Sequence, residues 1–237
     1  MTYSDIYKKF LIEYDKDATT SSYPSLTITE IANILDKAYL AIIAQKLTGT
    51  NTRGVGFEGD IKAIEDIRPL LATTECTRIT SASLLPDYIS ANERVFGYPD
   101  SDILYYVQSY IVAKSGSTEK QWPTLLASHS DANAFKETAH NHPWIEYPIV
   151  YLEGSNIHVL YGLDDFTDDM MNGSKLHLTY ITKPILFTED TAGWATTQWQ
   201  LSDTMAEEVI NLAIIMSLET IESARLSTKM STSKLES

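Results

Sequence analysis

The sequence has little of what stabilises secreted or membrane proteins. Its 237 residues include one cysteine, Cys76, so an intramolecular disulfide is impossible and the fold must depend on its hydrophobic core. No apolar run approaches the roughly 18 residues that a membrane-spanning helix requires. The first residues, MTYSDIYKKFLIEYDKD, follow a charged amphipathic helix pattern rather than that of a signal peptide. We therefore expect a protein that is neither membrane-embedded nor conventionally secreted, and that assembles in a reducing compartment.

Basic residues are also scarce. The chain has 18 Lys and Arg residues against 32 Asp and Glu residues, and its formal net charge at pH 7 is -14. Because proteins bind nucleic-acid phosphates through clustered cations, this acidic excess argues against a nucleic-acid-binding surface. It is compatible with an acidic wall past which DNA slides without sticking. Hydrophobic residues, at 43%, suffice for a sizeable core in one or two domains.

Recognisable catalytic motifs are absent from the sequence. It has no G-x-S-x-G nucleophile elbow, no H-E-x-x-H zinc motif and no P-loop. His140 and His142, preceded by His129, could meet at one metal ion, but metal sites usually need three or four ligands and no carboxylate follows at a diagnostic spacing. An exposed loop before Pro143 is the simpler interpretation.

Other ligating or reactive side chains also fit structural roles better. Cys76 is typical of a small buried hydrophobe, and His158 and His177 lie in alternating strand patterns that favour cross-strand or polar-face roles. The acidic run LDDFTDDMMNGSK lacks the spacing of an EF-hand and indicates a solvated loop. We therefore predict no catalytic, cofactor-binding or metal-binding residue, no cofactor and no enzymatic activity. The possible calcium ligands set aside in this run are Asp164, Asp165, Asp168, Asp169 and Asn172.

Helical patterns occupy residues 1–72. Thr27 and Glu30 have the spacing of a capping box ahead of IANILDKAYLAIIAQKLTG, and Gly49 is the predicted stop of that helix. The glycine-rich stretch TGTNTRGVGFEGD predicts a loop, after which DIKAIEDIRPLL resumes helical spacing until Pro69. These segments predict a helical first part of the chain.

From about Thr73 the sequence favours strands. DILYYVQSYIVAKSG, IEYPIVYLEGSNIHVLYG and KLHLTYITKPILF are rich in Tyr, Ile and Val and lie between turn signals. The residues EGSN at 153–156 predict a hairpin turn. A short helix is predicted to begin at Ser130 or Asp131 and to end before Pro143. The middle of the chain is therefore β-rich.

The stretch WQLSDTMAEEVINLAIIMSLETIESAR, residues 199–225, returns to a helical pattern, with a predicted start at Thr204 and capping-box spacing to Glu207. Its apolar residues form two stripes on roughly opposite faces. The helix therefore either lies in the middle of a helical layer or presents its second stripe to another chain. The first stripe consists of Met205, Val209, Leu212, Ala213 and Met216, and the second of Ile210, Ile214, Leu218 and Ile221.

Helices, then strands, then a helix predict an α+β fold. We expect a helical bundle that a C-terminal helix closes, with an inserted β-rich extension resembling a sandwich or a barrel. The predicted parts are a first bundle segment at 1–72, a β-rich insertion at 73–200, the closing helix at 201–226 and a C-terminal docking tail at 227–237.

This order of segments resembles that of neck proteins of tailed bacteriophages. The likeness is greatest to the ring or adaptor proteins that lie below the portal in crAss-like and other short-tailed phages. It rests on IEDIRPLL, NHPWIEYP, YLEGSNIHVLYG and LTYITKPILF, and above all on YITKPI followed by a closing helix of the pattern L-x-D-x-M-x-E-E-[VI]-[IV]-N-L-A. It spans most of the chain, although residues 118–141 match only in outline.

The resemblance implies a non-enzymatic structural protein of the virion, assembled in the host cytoplasm. Such proteins form a homo-oligomeric ring, typically of twelve copies, between the portal and the tail, and they contact the portal and adjacent neck or tail proteins. DNA passes through their channel without specific binding, and no membrane is involved. Under this interpretation the interface residues are Ile210, Ile214, Leu218, Ile221, Arg225, Lys229 and Lys234.

Three alternatives remain open at this point. The chain could be another tail or neck component, such as a tail terminator. It could be a metal-dependent hydrolase that uses His140, His142 and the acidic run. It could also be a monomeric binding module with an exposed aromatic patch around Trp122, Trp144 and Tyr147.

Overall fold

The computed structural model has a mixed α+β fold. It describes residues 1–17, 26–49, 61–80, 92–99, 103–115, 118–137, 143, 147–162, 173–189 and 191–220. The chain divides into two compact units. The helical unit consists of Met1–Leu70 with Pro184–Ser237, and the β unit consists of Leu71–Lys183.

The described helices follow the predicted segments. A short 3-10 turn at Arg68–Leu70 follows the third of them and contains the proline at which helical spacing was expected to stop. The α-helices are α1 (Tyr3–Asp17), α2 (Ile28–Thr48), α3 (Ile61–Ile67), α4 (His129–Glu137) and α5 (Asp203–Thr220).

The ends of α2 confirm the capping prediction. The Thr27 hydroxyl accepts a hydrogen bond from the Glu30 amide at 3.3 Å, and the Glu30 carboxylate accepts one from the Thr27 amide at 2.7 Å. Gly49 ends the helix with φ 73, a left-handed conformation that glycine adopts without steric cost.

The start of α5 differs from the prediction by one residue. The helix begins at Asp203, and the Ser202 hydroxyl accepts a hydrogen bond from the Met205 amide at 3.3 Å. Ser202 therefore satisfies an amide of the first turn, and Thr204 lies inside the helix. Within the helical unit, α5 packs against α1 and α2.

The segment after the last strand belongs to the helical unit, so the β unit ends at Lys183 rather than at the predicted residue 200. The Asp36 carboxylate on α2 accepts hydrogen bonds from the amides of Phe187 and Thr188 at 2.6 and 3.1 Å. Aromatic contacts reinforce this attachment, because Phe187 and Trp199 both lie against the Tyr3 ring of α1. These contacts fix the segment to the helices.

The β unit contains two four-stranded sheets, ordered β1-β8-β3-β4 and β2-β7-β6-β5. All pairings are antiparallel except that of β5 with β6. Glu153 pairs with Asn156 across the turn that contains Gly154, which confirms the predicted hairpin. The strands are β1 (Leu71–Cys76), β2 (Glu93–Gly97), β3 (Ile103–Ser115), β4 (Thr118–Pro123), β5 (Leu125–Leu126), β6 (Ile149–Glu153), β7 (Asn156–Leu160) and β8 (Lys175–Thr182).

Both sheets contribute to one hydrophobic core. Ile111 and Leu178 come from the first sheet, and Phe96, Val150 and Val159 come from the second. The other face of the second sheet carries α4, whose Ala132 packs in a smaller cluster around the outward side of β6. The described strands do not close into a barrel.

Candidate functional site

The second apolar stripe of α5 is not an open surface. Ile210, Ile214 and Leu218 each have 0% of their surface exposed within the single chain. Side chains that are already buried in their own subunit cannot meet a neighbour, so the prediction of these three as interface residues is wrong. The helix has two apolar faces because it lies between other elements of the helical unit.

The other predicted interface residues lie outside the described residues, and so do several residues on which the alternative hypotheses depend. These are Ile221, Arg225, Lys229 and Lys234 from the interface, His140, His142 and the acidic run from the metal hypotheses, and Trp144 from the aromatic patch.

Charged contacts add to the attachment of α5. Lys46 on α2 lies 2.8 Å from the Glu208 carboxylate on α5 and 3.2 Å from that of Asp66 on α3. Burial alone would lower the pKa of Lys46, but its hydrogen bonds to Glu208 and Asp66 outweigh that effect and raise the pKa. One ammonium group therefore joins three helices.

Exposed apolar side chains concentrate at one edge of the second sheet. Leu125 and Leu126 form β5, the edge strand, with 57% and 48% of their surfaces exposed. Tyr147, 56% exposed, lies beside them, because the Leu125 amide donates to the carbonyl of Pro148 at 2.9 Å. We call Leu125, Leu126 and Tyr147 the β5 edge.

The opposite edge of the same sheet is covered. The Ile79 amide donates to the Val95 carbonyl at 2.9 Å, and the Gly97 amide donates to the Thr77 carbonyl at 2.8 Å. A segment of chain thus runs along β2, whereas β5 pairs on only one side within the described part of the sheet. An edge strand with exposed leucines is a surface suited to contact with another chain.

Cys76 has the structural role expected from the sequence. Its side chain is buried in the shared core of the β unit. Burial, with a smaller effect of the neighbouring Glu75 carboxylate, raises the pKa of the Cys76 thiol to about 11. The thiol is therefore protonated at neutral pH and is a poor nucleophile.

A buried polar cluster lies between α4 and the second sheet, and sequence analysis did not predict it. The Glu93 side chain on β2 is 0% exposed, yet it carries a carboxylate. Tyr151 donates its hydroxyl to that carboxylate at 2.5 Å, His158 Nδ1 lies 2.7 Å from it, and Lys136 Nζ lies 3.1 Å from it. We call these four residues, together with Glu153, the Glu93 cluster.

Stacked rings complete the cluster. Tyr151 and His158 are opposite each other on β6 and β7, with their ring centroids 4.6 Å apart. Lys136 on α4 donates to the Tyr151 hydroxyl at 2.6 Å and lies 4.8 Å from the centre of that ring. Burial and the hydrogen bond to Glu93 raise the pKa of Tyr151, so its hydroxyl stays protonated and remains a donor.

His177 has a simpler cross-strand role. It is opposite Tyr110 in the pairing of β8 with β3, and the two rings stack with their centroids 4.9 Å apart. The cross-strand prediction is therefore confirmed for His177 and also for His158, whose partner is Tyr151. The sequence did not indicate that His158 would be buried against a carboxylate.

Comparisons with known proteins leave the family open. Neither the protein-family models nor the curated proteins compared with the chain give a match. Across the ranges that the structure describes, no helix is both long and apolar enough to cross a bilayer, and no three His, Cys, Asp or Glu side chains are grouped as a metal site would require.

Proposed function

We propose that this chain is a structural virion protein that forms a dodecameric neck ring between the portal and the tail. In this role it lines the DNA channel and bridges head to tail. It acts without catalysis or a cofactor, and its partners are other copies of itself, the portal and adjacent neck or tail proteins. A different neck position, such as that of a tail terminator, is the alternative within the same class.

The segment order in three dimensions carries the proposal. The two ends of the sequence join in a single helical unit, and the β unit is an insertion between them. This is the layout that the likeness to phage neck proteins implies, in which a bundle is closed by the C-terminal helix and a sandwich-like β extension is inserted. The net charge of -14 also supports a wall from which DNA is repelled rather than bound.

Contact between copies requires a different surface from the buried stripe of α5. The β5 edge is the best candidate, because its two leucines and its tyrosine are about half exposed and lie on an edge strand. A closed ring needs one surface patch that meets a different patch on the next copy. We therefore assign the β5 edge to contact with a neighbouring copy of this chain.

The test is the mass of the purified protein, measured alone and with the portal protein of the same virus. We expect a complex of about twelve copies in at least one of these samples, as for a closed ring. A chain that stays monomeric in both, over the whole accessible concentration range, contradicts the proposed function.

Matched variants test the surface separately. Leu125→Asp should weaken assembly while leaving the folded monomer intact, since the side chain is already 57% exposed. Ile12→Asp is the control, because Ile12 on α1 is 54% exposed but lies in the helical unit. If Leu125→Asp assembles as the unaltered chain does, the β5 edge is not the contact. The ring hypothesis itself is tested separately, by the measured mass of the complex.

A further inference from the structure

Two arginines lie side by side at one end of the β unit. Arg78 pairs with Phe96 of β2 in an isolated antiparallel bridge, and Arg94 is two residues before Phe96 on the same strand. Side chains two residues apart on a strand point to the same face, and so do the side chains of directly opposed residues. Arg78 and Arg94 are therefore diagonal neighbours on one face of the sheet.

This face is the inner one. Phe96 belongs to the core that the two sheets share, and so does Val159, the residue opposite Arg94 on β7. Glu93, although it is next to Arg94 in sequence, lies on the other face and belongs to the Glu93 cluster with Lys136 of α4. The two arginine side chains are thus partly buried beside an apolar core, where water hydrates their charge less well.

The Nε atoms show the consequence of this burial. Those of Arg78 and Arg94 are both buried, and neither atom has a hydrogen-bond partner among the described residues. Both side chains make other contacts, of which one is the hydrogen bond that Arg94 donates to the Glu93 carbonyl at 2.7 Å. Each Nε carries a hydrogen, because arginine stays protonated in proteins. A buried donor without an acceptor is costly, so two such donors in one place favour a ligand with several oxygen atoms.

The two guanidinium groups also act on each other. Burial, together with the positive charge of Arg94, lowers the pKa of Arg78. Like charges that are held close together repel, and a negatively charged group beside both of them offsets this repulsion. An anion is therefore the class of ligand that this pair favours.

Two hydroxyl groups lie at the same end of the β unit. The Tyr161 amide donates to the Asn92 carbonyl at 3.0 Å, which places Tyr161 two residues beyond the partner of Arg94 on β7. The hydroxyls of Tyr161 and Ser174 are 2.8 Å apart. Burial raises the pKa of Tyr161 to about 12, against the effects of this hydrogen bond and of the charges of Arg94 and Arg78. At neutral pH both hydroxyls are therefore protonated and can donate.

We propose that a site for one oxyanion, a phosphate or a carboxylate, lies at this end of the β unit. Guanidinium groups supply charge and a planar fork of N–H donors that matches either oxyanion, and hydroxyls supply further donors. All the residues of the site belong to the β unit of one chain, so the site does not depend on the proposed neck ring. The residues of this oxyanion site are Arg78, Arg94, Tyr161 and Ser174.

The oxyanion can come from two sources. One source is a free phosphate ion. The other is the chain itself, because four aspartates of the acidic run lie in sequence between Tyr161 and Ser174. These are Asp164, Asp165, Asp168 and Asp169, and the first of them follows Tyr161 by only three residues. The experiment is designed to separate the two sources.

The test measures the thermal unfolding midpoint of the full chain in phosphate and in chloride at equal ionic strength. The unaltered chain is compared with two double variants, Asp164→Asn with Asp165→Asn and Asp168→Asn with Asp169→Asn. If a free phosphate ion is the ligand, the unaltered chain responds. At a phosphate concentration about ten times the dissociation constant, its midpoint should rise by roughly 3–6 °C.

A carboxylate of the acidic run gives a different result. The unaltered chain then shows no response to phosphate, and one double variant unfolds at a lower temperature although its net charge is smaller. Removal of solvated aspartates from a chain of net charge -14 would instead relieve repulsion and would not lower the midpoint. In the variant whose carboxylate is lost, phosphate should take its place and raise the midpoint.

Arginine variants assign the response to the site. Arg94→Gln, added to whichever chain responds, should abolish the effect of phosphate. Arg68→Gln is the matched control, because Arg68 is an exposed arginine of the helical unit, and the effect should persist in it. A phosphate effect in none of the three chains overturns the proposal, and so does an effect that survives Arg94→Gln.

NMR of 15N-labelled arginine provides a measurement that does not require Arg94→Gln to fold. The chain has five arginines, and replacement of each by lysine in turn assigns the Nε–H signals. In the responding chain, phosphate should shift the signals of Arg78 and Arg94 and leave that of Arg68 in place. Equal shifts of all five signals indicate non-specific ion binding and overturn the proposal.

Discussion

Replacement of Ile214 by alanine distinguishes a core role of α5 from an interface role. The side chain is 0% exposed in the single chain, and the change removes three carbons. At about 0.8 kcal/mol for each buried carbon, the loss of transfer free energy alone is about 2.4 kcal/mol. The cavity that remains adds to this, so we expect the free energy of unfolding to fall by about 2–5 kcal/mol.

Ile215→Ala is the matched control, because Ile215 is the next residue of the same helix and is only partly buried. Both variants change helix propensity equally, so the difference between them isolates burial. Urea unfolding of the isolated subunit, followed by far-UV circular dichroism, measures both. The reasoning is refuted if Ile214→Ala unfolds at the same urea concentration as the unaltered chain and only its assembly is impaired.

Four further predictions follow from single contacts. Asp36→Asn replaces an acceptor by an amide that cannot accept from both backbone amides at 187 and 188, and it should lower stability by about 1.5–3 kcal/mol in the same urea assay. Lys46→Met removes the cation that lies between the carboxylates of Asp66 and Glu208, leaves Glu208 only its longer contact with Lys62 at 3.6 Å, and should cost about 3 kcal/mol; a loss below about 1 kcal/mol would show that the network is unimportant. Because burial raises the pKa of the Cys76 thiol to about 11, alkylation of this thiol at about pH 8 should be at least roughly 100-fold slower in the folded chain than in urea. The alkylation rate of the folded chain should rise as the pH approaches 11, and rapid labelling of the folded chain at about pH 8 contradicts this prediction. Random duplex DNA at about 150 mM salt should give no change in fluorescence anisotropy with the purified chain, and saturable binding would count against a repelling channel wall.

Local signals predicted the elements well where the deciding contacts are close in sequence. Thr27, Glu30 and Gly49 fix both ends of α2 through hydrogen bonds that span a few residues. The turn at 153–156 sets the register of β6 and β7, and with it the pairing of Tyr151 with His158. That register was therefore available from the sequence.

Contacts between distant parts of the chain were not predictable in this way. The segment after Lys183 joins the helical unit because Asp36 and Tyr3, far away in sequence, bind it. Glu93 meets His158 only through the pairing of β2 with β7, and Lys136 meets Glu93 only through the packing of α4 on β6. No spacing along the chain reports such pairings.

The two apolar stripes of α5 show a different limit of prediction from sequence. Two apolar faces indicate that both are covered, but not what covers them. The sequence left open whether the chain itself or a neighbour does so, and burial of Ile210, Ile214 and Leu218 within the subunit decides the question.

The proposed function places this chain in the neck of a tailed phage, and a cryo-electron microscopy reconstruction of that neck is its most direct measurement. We predict a ring of about twelve copies between portal and tail, each with a helical unit and a β unit, around a channel that contains DNA. Absence of the chain from purified virions, or its presence only on the capsid surface, would contradict the proposal.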